Sequence, residues 1–197
     1  MAIGAAVLAV TLAGCPYLDS KVANLKGLMQ GRSATVTTYN VFGQKLDRIH
    51  GVSVDIQREK AFDSKNEDGS TNKDSSVVSV SVGANVMTHV GSTLLMAEDG
   101  LVDVSAALPK TVDLNNFDHG TPFLNYLRQT YSNYWQGKAR TIVVRSQNGS
   151  PIAIYAGNKV EYFATNVPKS TLLLIDDKYL LIYRSEYTIY DNALLRS

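Results

Sequence analysis

The sequence predicts an α+β domain, mostly an antiparallel β meander with two helices packed on the sheet. Three observations lead to this prediction. Short runs of alternating apolar and polar residues recur along the chain, turn signals such as Asn148-Gly149 separate them, and two segments instead repeat apolar residues at helical spacing. A β-sandwich with peripheral helices is the alternative, because the same strand pattern is compatible with both architectures.

Length and charge set the first limits on function. The chain has 197 residues, 45% of them apolar, which suits one globular domain. It carries 19 Lys and Arg against 18 Asp and Glu, so the net charge is +1. Such a chain has no strongly basic surface to neutralise phosphates, and we expect no nucleic-acid partner.

The first helix is predicted to begin after Asp19 or Ser20, which are both good N-cap residues, and to end at Gly31. Its basic face is thin, so packing in the core is favoured over lying on a membrane. The apolar residues at helical spacing are Val22, Leu25, Leu28 and Met29.

The second helix is predicted to begin at Thr121-Pro122 and to end at Gly137. Its apolar face would pack on the sheet. The residues of that face are Phe123, Leu127, Tyr131 and Tyr134.

The strands are predicted from β-branched and aromatic runs that alternate with polar residues. Two turn signals join them most clearly, Asn148-Gly149 and Asp176-Asp177. The predicted strands are 35–42, 46–49, 52–57, 78–82, 86–96 with a break at Gly91, 101–104, 141–145, 152–156, 160–163, 172–175, 179–183 and 187–190.

The N-terminus is an apolar run over residues 2–13, with no charged residue before Asp19. A helix of that length spans about 20 Å, too short for the ~30 Å hydrocarbon core of a bilayer, but it suits a secretory signal. The run ends in Leu12-Ala13-Gly14-Cys15, which resembles the bacterial lipobox.

That resemblance implies that the thiol of Cys15 receives a diacylglyceryl group and that residues 1–14 are removed as a signal peptide. Residues 15–197 would then form a single extracytoplasmic lipoprotein domain. The membrane would be a partner through lipidated Cys15, on the outer face of the bacterial cytoplasmic membrane.

Three segments of the chain resemble segments of a family of small Gram-positive lipoproteins whose domain is of unknown function. They are 91–101, 158–162 and 183–191. The similarity lies in apolar and structural residues. It therefore implies a location and a fold, and it implies no chemistry.

The sequence predicts no catalytic residue, no metal site and no cofactor. Cys15 is the only Cys, and the three His residues are far apart in the chain. The acidic segment 63–76 is similar to a calcium loop around Gly69, but Ser64 and Ser75 fall where the first and last carboxylate ligands are needed. A solvated loop is the better interpretation.

The function predicted from these features is a membrane-anchored surface lipoprotein that acts as a non-catalytic binding or interaction module for an unknown protein or envelope partner. Tyr126 and Trp135, with Tyr131, are the candidate binding residues, because aromatic rings left outside the core often anchor partners.

Two alternative functions remain open. A wall- or lipid-directed hydrolase would use Asp118 and His119, since a carboxylate can orient an imidazole. A prophage-encoded exclusion lipoprotein is the other.

Overall fold

The computed structural model of the protein describes residues 23–107 and 137–195. These residues contain one α-helix, α1 over Leu25–Met29, and two 3₁₀ turns, Lys60–Phe62 and Val104–Ala107. The strands are β1 Ser33–Tyr39, β2 Lys45–Val52, β3 Val54–Arg58, β4 Ser64–Lys65, β5 Thr71–Asn72, β6 Val77–Val82, β7 Asn85–Val90, β8 Leu94–Glu98, β9 Arg140–Arg145, β10 Pro151–Gly157, β11 Val160–Ala164, β12 Ser170–Ile175, β13 Lys178–Tyr183 and β14 Glu186–Asp191.

The strands form one large sheet and several small ones. Six strands make the central sheet, in the order β11-β12-β13-β8-β1-β2, and every neighbouring pair in it is antiparallel. Two outer sheets have three strands each, in the orders β3-β6-β7 and β10-β9-β14. Strands β4 and β5 form a separate short hairpin.

The central sheet is buried on both faces, so the fold has three layers of sheet. Leu172 and Leu173 are neighbours on β12 and point to opposite faces, yet both are fully buried. On β13 the same holds for Leu180 and Leu181. Continuous apolar runs of this kind mark strands that have a packed layer on each side.

The first outer layer is the β3-β6-β7 sheet, extended by α1. Ile56 of β3 and Val80 of β6 belong to the same buried cluster as Met96 of the central strand β8. Leu25 and Met29 of α1 join that cluster. The predicted burial of Leu25 and Met29 is confirmed. The predicted start after Asp19 or Ser20 is wrong, because Ala23 pairs with Thr165 in a β-bridge and the helix begins at Leu25.

The second outer layer is the β10-β9-β14 sheet. Its residues Ile142 and Val144 pack in one cluster with Leu173 and Ile182 on the opposite face of the central sheet. The outer side of the β10-β9-β14 sheet is apolar as well. There Val143 and Ile154 pack in one cluster with Val104 and Leu195.

The chain passes from the central sheet to the first outer layer at the junction of β2 and β3. Ser53 has a φ of 56°, a left-handed conformation that bends the chain between the two strands. Gly51 of β2 lies so close to Val82 of β6 that a Cβ atom there would be 2.1 Å from Val82 Cγ1. A side chain at position 51 would therefore force Val82 to shift where the two layers meet.

The predicted α+β class, with two helices packed on the sheet, is wrong for this structure. α1 has five residues and sits beside β3, while sheets cover both faces of the central sheet. The helix predicted from Thr121 to Gly137 lies outside the described residues, apart from Gly137 itself. The β-sandwich alternative is nearer, although the strands form three layers instead of two.

One local prediction is also corrected. Segment 101–104 is not a strand, because the chain leads there into the 3₁₀ turn Val104–Ala107. Segment 63–76 is a loop that carries the β4–β5 hairpin, and its carboxylates bind its own residues: Asp74 Oδ2 accepts from Ser64 Oγ at 2.9 Å. No group of three or more metal-binding side chains occurs in the described part of the chain.

None of the helices in residues 23–107 and 137–195 is long and apolar enough to cross a membrane.

Candidate ligand-binding cavity

The residues that the sequence singled out for function lie outside the described ranges. The structure therefore does not test the predictions made for them. They are the lipid-attachment residue Cys15, the candidate binding residues Tyr126, Tyr131 and Trp135, and the pair Asp118 and His119.

The two described histidines have other partners. His50 Nε2 lies 2.9 Å from Asp99 Oδ2, and both side chains are at least half exposed. His89 Nε2 lies 3.0 Å from the carbonyl oxygen of Ser92. Neither ring contacts a hydroxyl group of the described residues through a hydrogen bond.

A polar cavity of about 310 Å³ opens between the β1–β2 end of the central sheet and β10 of the second outer layer. We call it the β1–β10 cavity. Its polar lining residues include Thr35, Thr37 and Tyr39 of β1, Lys45 and Arg48 of β2, Asp99 and Asp103 of the segment after β8, and Tyr155 of β10.

The alternation of β1 places its hydroxyl groups in this cavity. Thr35, Thr37 and Tyr39 are two residues apart, so they project from one face of the sheet. On the neighbouring strand β2, Arg48 pairs with Thr37 and His50 pairs with Thr35, and cross-strand partners share a face. The face that is apolar at β8, β12 and β13 thus becomes polar at β1 and β2.

Burial distinguishes the floor of the cavity from its mouth. Tyr39 is 3% exposed, Tyr155 is 4% exposed and Thr37 is 9% exposed. Lys45 and Arg48 are exposed. The hydroxyl groups therefore form the floor, and the cations lie at the mouth.

The hydroxyl groups of the floor make no hydrogen bond with any described residue. This holds for Thr37, Tyr39 and Tyr155, although other buried hydroxyls of the same central sheet are paired: Tyr183 donates to the carbonyl oxygen of Ser76 at 2.7 Å. Among the described residues, Arg58 Nε is the one side-chain polar atom that is both buried and without a partner, so the oxygens of these three hydroxyls are not buried orphans: they face the cavity. A ligand or water in the cavity would satisfy these groups.

Both phenols remain protonated at neutral pH. Burial raises the pKa of Tyr39 well above its ordinary range, and the carboxylate of Asp103 raises it further, while Arg48 lowers it. Burial likewise raises the pKa of Tyr155, with smaller contributions from Asp103 and Tyr39. Each phenol can therefore both donate and accept a hydrogen bond.

Asp103 is held in position by backbone groups. Its Oδ1 atom accepts hydrogen bonds from the N–H groups of Ser105 and Ile154, both at 2.9 Å. The hydrogen bond from the Ile154 N–H group joins the segment after β8 to β10. Its Oδ2 atom has no partner among the described residues, so it can accept a hydrogen bond from a molecule in the cavity.

The cations at the mouth form no ion pair with the described carboxylates that line the same cavity. Asp99 pairs with His50, and Glu98 pairs with Arg32 at 2.8 Å. Within residues 23–107 and 137–195, Lys45 and Arg48 form no ion pair.

A second cavity, of about 420 Å³, lies beside α1 and β3, and two of its polar lining residues, Gln57 and Arg58, contact carboxylates. Gln57 Nε2 donates to Asp55 Oδ2 at 2.6 Å. Arg58 Nε lies 3.1 Å from Asp63 Oδ1, as an ion pair that lacks hydrogen-bond geometry. These contacts hold the side chains of Gln57 and Arg58 in the wall of the cavity.

Sequence reasoning did not find the β1–β10 cavity. One signal was present, since Thr35, Thr37 and Tyr39 put a hydroxyl at every second residue of a predicted strand. Asp103 and Tyr155 come from distant parts of the chain, and nothing in their local sequence distinguishes them from other surface or core residues.

The described residues thus define a protein built from layered β-sheets, with a polar cavity between two of the layers. The chain belongs to the family described as a domain of unknown function, DUF5052, whose model matches residues 1–195. Neither the curated proteins nor the solved structures contain a match to the chain. The family confirms the predicted domain of unknown function, and the lipoprotein character and Gram-positive origin stay predictions.

Proposed function

We propose that the protein is a non-catalytic binding module, anchored to the outer face of the bacterial cytoplasmic membrane through Cys15, which takes up a small polar ligand in the β1–β10 cavity. The observation that supports binding is the floor of the cavity. Thr37, Tyr39 and Tyr155 are almost fully buried, and their hydroxyl groups have no partner among the described residues. Hydroxyl groups that line a cavity without a protein partner can donate to and accept from a ligand that displaces water there.

Binding is tested by thermal unfolding of the full chain against a panel of sugars, amino acids, nucleosides and their phosphates. A ligand that binds only the folded state raises the unfolding temperature. We expect at least one compound to do so in the wild type. The increase should be smaller in Tyr155→Phe, which removes one cavity hydroxyl, and unchanged in Tyr162→Phe, whose ring lies on the exposed side of β11.

A panel that stabilises neither the wild type nor any variant would contradict the binding proposal. So would stabilisation that is equal in the wild type, Tyr155→Phe and Thr37→Val, because the ligand would then bind elsewhere.

Anchoring is tested separately, by cell fractionation and mass spectrometry. The support for it is the apolar run that ends in Leu12-Ala13-Gly14-Cys15. We expect a diacylglyceryl group on Cys15 in the membrane fraction and release of the Cys15→Ser variant from the membrane. An unmodified Cys15, or an equally membrane-bound variant, would contradict the anchor and leave the cavity proposal intact.

A hydrolase is the second candidate, and one contact favours it. Asp99 lines the same cavity, and its Oδ2 atom lies 2.9 Å from Nε2 of His50. A carboxylate-oriented imidazole can act as a general base. Loss of a measured hydrolase activity in His50→Gln, with ligand binding retained, would favour this candidate over a binding module.

A further inference from the structure

The charges at the mouth of the β1–β10 cavity restrict the kind of ligand it can take. Arg48 and Lys45 are exposed, and they form no ion pair within the described residues. Of the lining carboxylates, Glu98 pairs with Arg32, Asp99 contacts the His50 imidazole, and Asp103 is bound by backbone N–H groups. The mouth therefore offers two cations without an ion-pair partner among the described residues, one of them a guanidinium suited to bidentate contact with a carboxylate or phosphate.

The floor adds a second requirement. Thr37, Tyr39 and Tyr155 present hydroxyl groups that can both donate and accept, and Asp103 Oδ2 can accept. A ligand with several hydroxyl groups satisfies all of them. A purely apolar ligand would leave them unpaired, which costs binding free energy.

Size gives the third requirement. The cavity volume of about 310 Å³ is at the lower end of the range for small-molecule sites. A monosaccharide fits this space, while most of a longer chain would remain outside.

We propose that the β1–β10 cavity binds a small anionic molecule rich in hydroxyl groups, an acidic or phosphorylated monosaccharide, with its anionic group between Arg48 and Lys45 and its hydroxyl groups on Thr37, Tyr39, Tyr155 and Asp103. This inference rests on the proposed function, because it assigns a ligand class to the same cavity.

The test measures the affinity of the full chain, in mild detergent, for four probes by calorimetric titration. The probes are glucuronic acid and glucose 6-phosphate, which have both the anion and the hydroxyls, glucose, which lacks the anion, and inorganic phosphate, which lacks the hydroxyls. We expect the two acidic sugars to bind at least about tenfold more tightly than glucose and than inorganic phosphate.

One variant tests whether Arg48 causes the tighter binding of the acidic sugars, and a second serves as its control. Arg48→Gln should weaken the acidic sugars by about tenfold or more and leave glucose unchanged, because it removes a charge-assisted contact. Lys26→Gln is the matched control, since Lys26 is an exposed cation on α1, on the other side of the central sheet. It should change none of the four affinities.

The outcomes separate this inference from the proposed function. Glucose binding as tight as that of the acidic sugars, or an Arg48→Gln variant with wild-type affinities, would overturn the anionic ligand class and leave a binding module for neutral molecules. Phosphate binding as tight as that of the sugar phosphate would indicate a simple anion site and would also overturn it. If no probe binds, the inference is wrong, and the proposed function fails as well only if the wider thermal panel also finds no ligand.

Discussion

Thr37 and Thr38 are consecutive residues of β1 with opposite surroundings. The side chain of Thr38 points to the first outer layer, where its Oγ1 atom donates to Asp47 Oδ2 at 2.9 Å and accepts from the Asp47 N–H group at 3.1 Å. The side chain of Thr37 points into the β1–β10 cavity, and its hydroxyl has no partner among the described residues. Both residues are buried.

This contrast gives the first prediction, for the pair of variants Thr37→Val and Thr38→Val. Removal of the Thr38 hydroxyl should lower the free energy of unfolding by about 1–2 kcal/mol, because it leaves Asp47 without its partner. Removal of the Thr37 hydroxyl should change it by less than about 0.5 kcal/mol and should weaken ligand binding. Urea unfolding of both variants measures the difference, and an equal loss in the two would show that Thr37 has a structural partner.

Local signals in the sequence predicted much of the strand order. The signal Asn148-Gly149 does join β9 to β10, and Asp176-Asp177 joins β12 to β13. Gly149 has a φ of 86°, and Asp176 and Asp177 have φ values of 44° and 66°. Gly and Asp tolerate such conformations, so these turns can be predicted from a few consecutive residues.

The layering was missed because it depends on contacts between distant segments. The run Leu172-Leu173-Leu174 already contained the information, since a strand without a polar face must be covered on both sides. What covers it does not follow from the run. In this fold the cover consists of other strands, and the sequence pattern of β3 or β9 is equally compatible with a single meander.

The cavity could not be predicted for a related reason. Its floor combines Thr37 and Tyr39 with Asp103 and Tyr155, which come from three separate parts of the chain. The functional signal is a missing hydrogen bond, and a sequence does not show which of two adjacent threonines lacks one.

The second prediction concerns the buried carboxylate of Glu98, which is 4% exposed. It accepts from Arg32 at 2.8 Å and from Lys178 at 3.3 Å through Oε1, and from the Tyr179 N–H group at 3.0 Å through Oε2. Glu98→Gln keeps the shape and removes the charge, so two cations would face a neutral amide. We expect the free energy of unfolding to fall by about 2 kcal/mol, measured by urea unfolding.

The control for Glu98 is Glu161→Gln. Glu161 pairs with Lys159 at 3.0 Å, but both side chains are largely exposed, and exposed ion pairs contribute little. We expect little change in stability. Similar losses in the two variants would contradict the view that burial makes the Glu98 network important.

The third prediction tests the contact between the central sheet and the first outer layer. Gly51→Ala would place a Cβ atom 2.1 Å from Val82 Cγ1, and we expect a loss of about 1–3 kcal/mol in the free energy of unfolding. Val82→Ala in the same chain should recover part of that loss, so the double variant should be less unstable than the sum of the single ones.

A matched glycine serves as the control. Gly27 is in α1, and a Cβ atom there would have its nearest neighbours at 4.0 Å. Gly27→Ala should leave stability unchanged or raise it by about 0.5–1 kcal/mol, because glycine is unfavourable within a helix.

Additive effects of Gly51→Ala and Val82→Ala would show that the two residues are not in contact.

The last prediction is a loss of stability at alkaline pH that depends on Tyr39 and Tyr155. Burial raises the pKa of both phenols above the ordinary tyrosine value of about 10. Between about pH 10 and the higher folded pKa values, the unfolded chain releases protons that the folded protein keeps. The folded state then binds more protons than the unfolded state, so the free energy of unfolding falls as the pH rises above about 10.

Each tyrosine can contribute at most about 1.4 kcal/mol per pH unit to this decrease. Below about pH 10 both states are protonated at these groups, and their contribution is fully present. The double variant Tyr39→Phe/Tyr155→Phe has no phenol at either position, so its stability should decrease less steeply between pH 10 and pH 11 than that of the wild type. Tyr162→Phe is the control, because that ring is exposed in the folded protein, and its slope should equal that of the wild type. Urea unfolding at pH 8, 10 and 11 measures all three slopes, and a double variant as sensitive to alkali as the wild type would mean that the two phenols ionise as readily in the folded protein as in the unfolded chain.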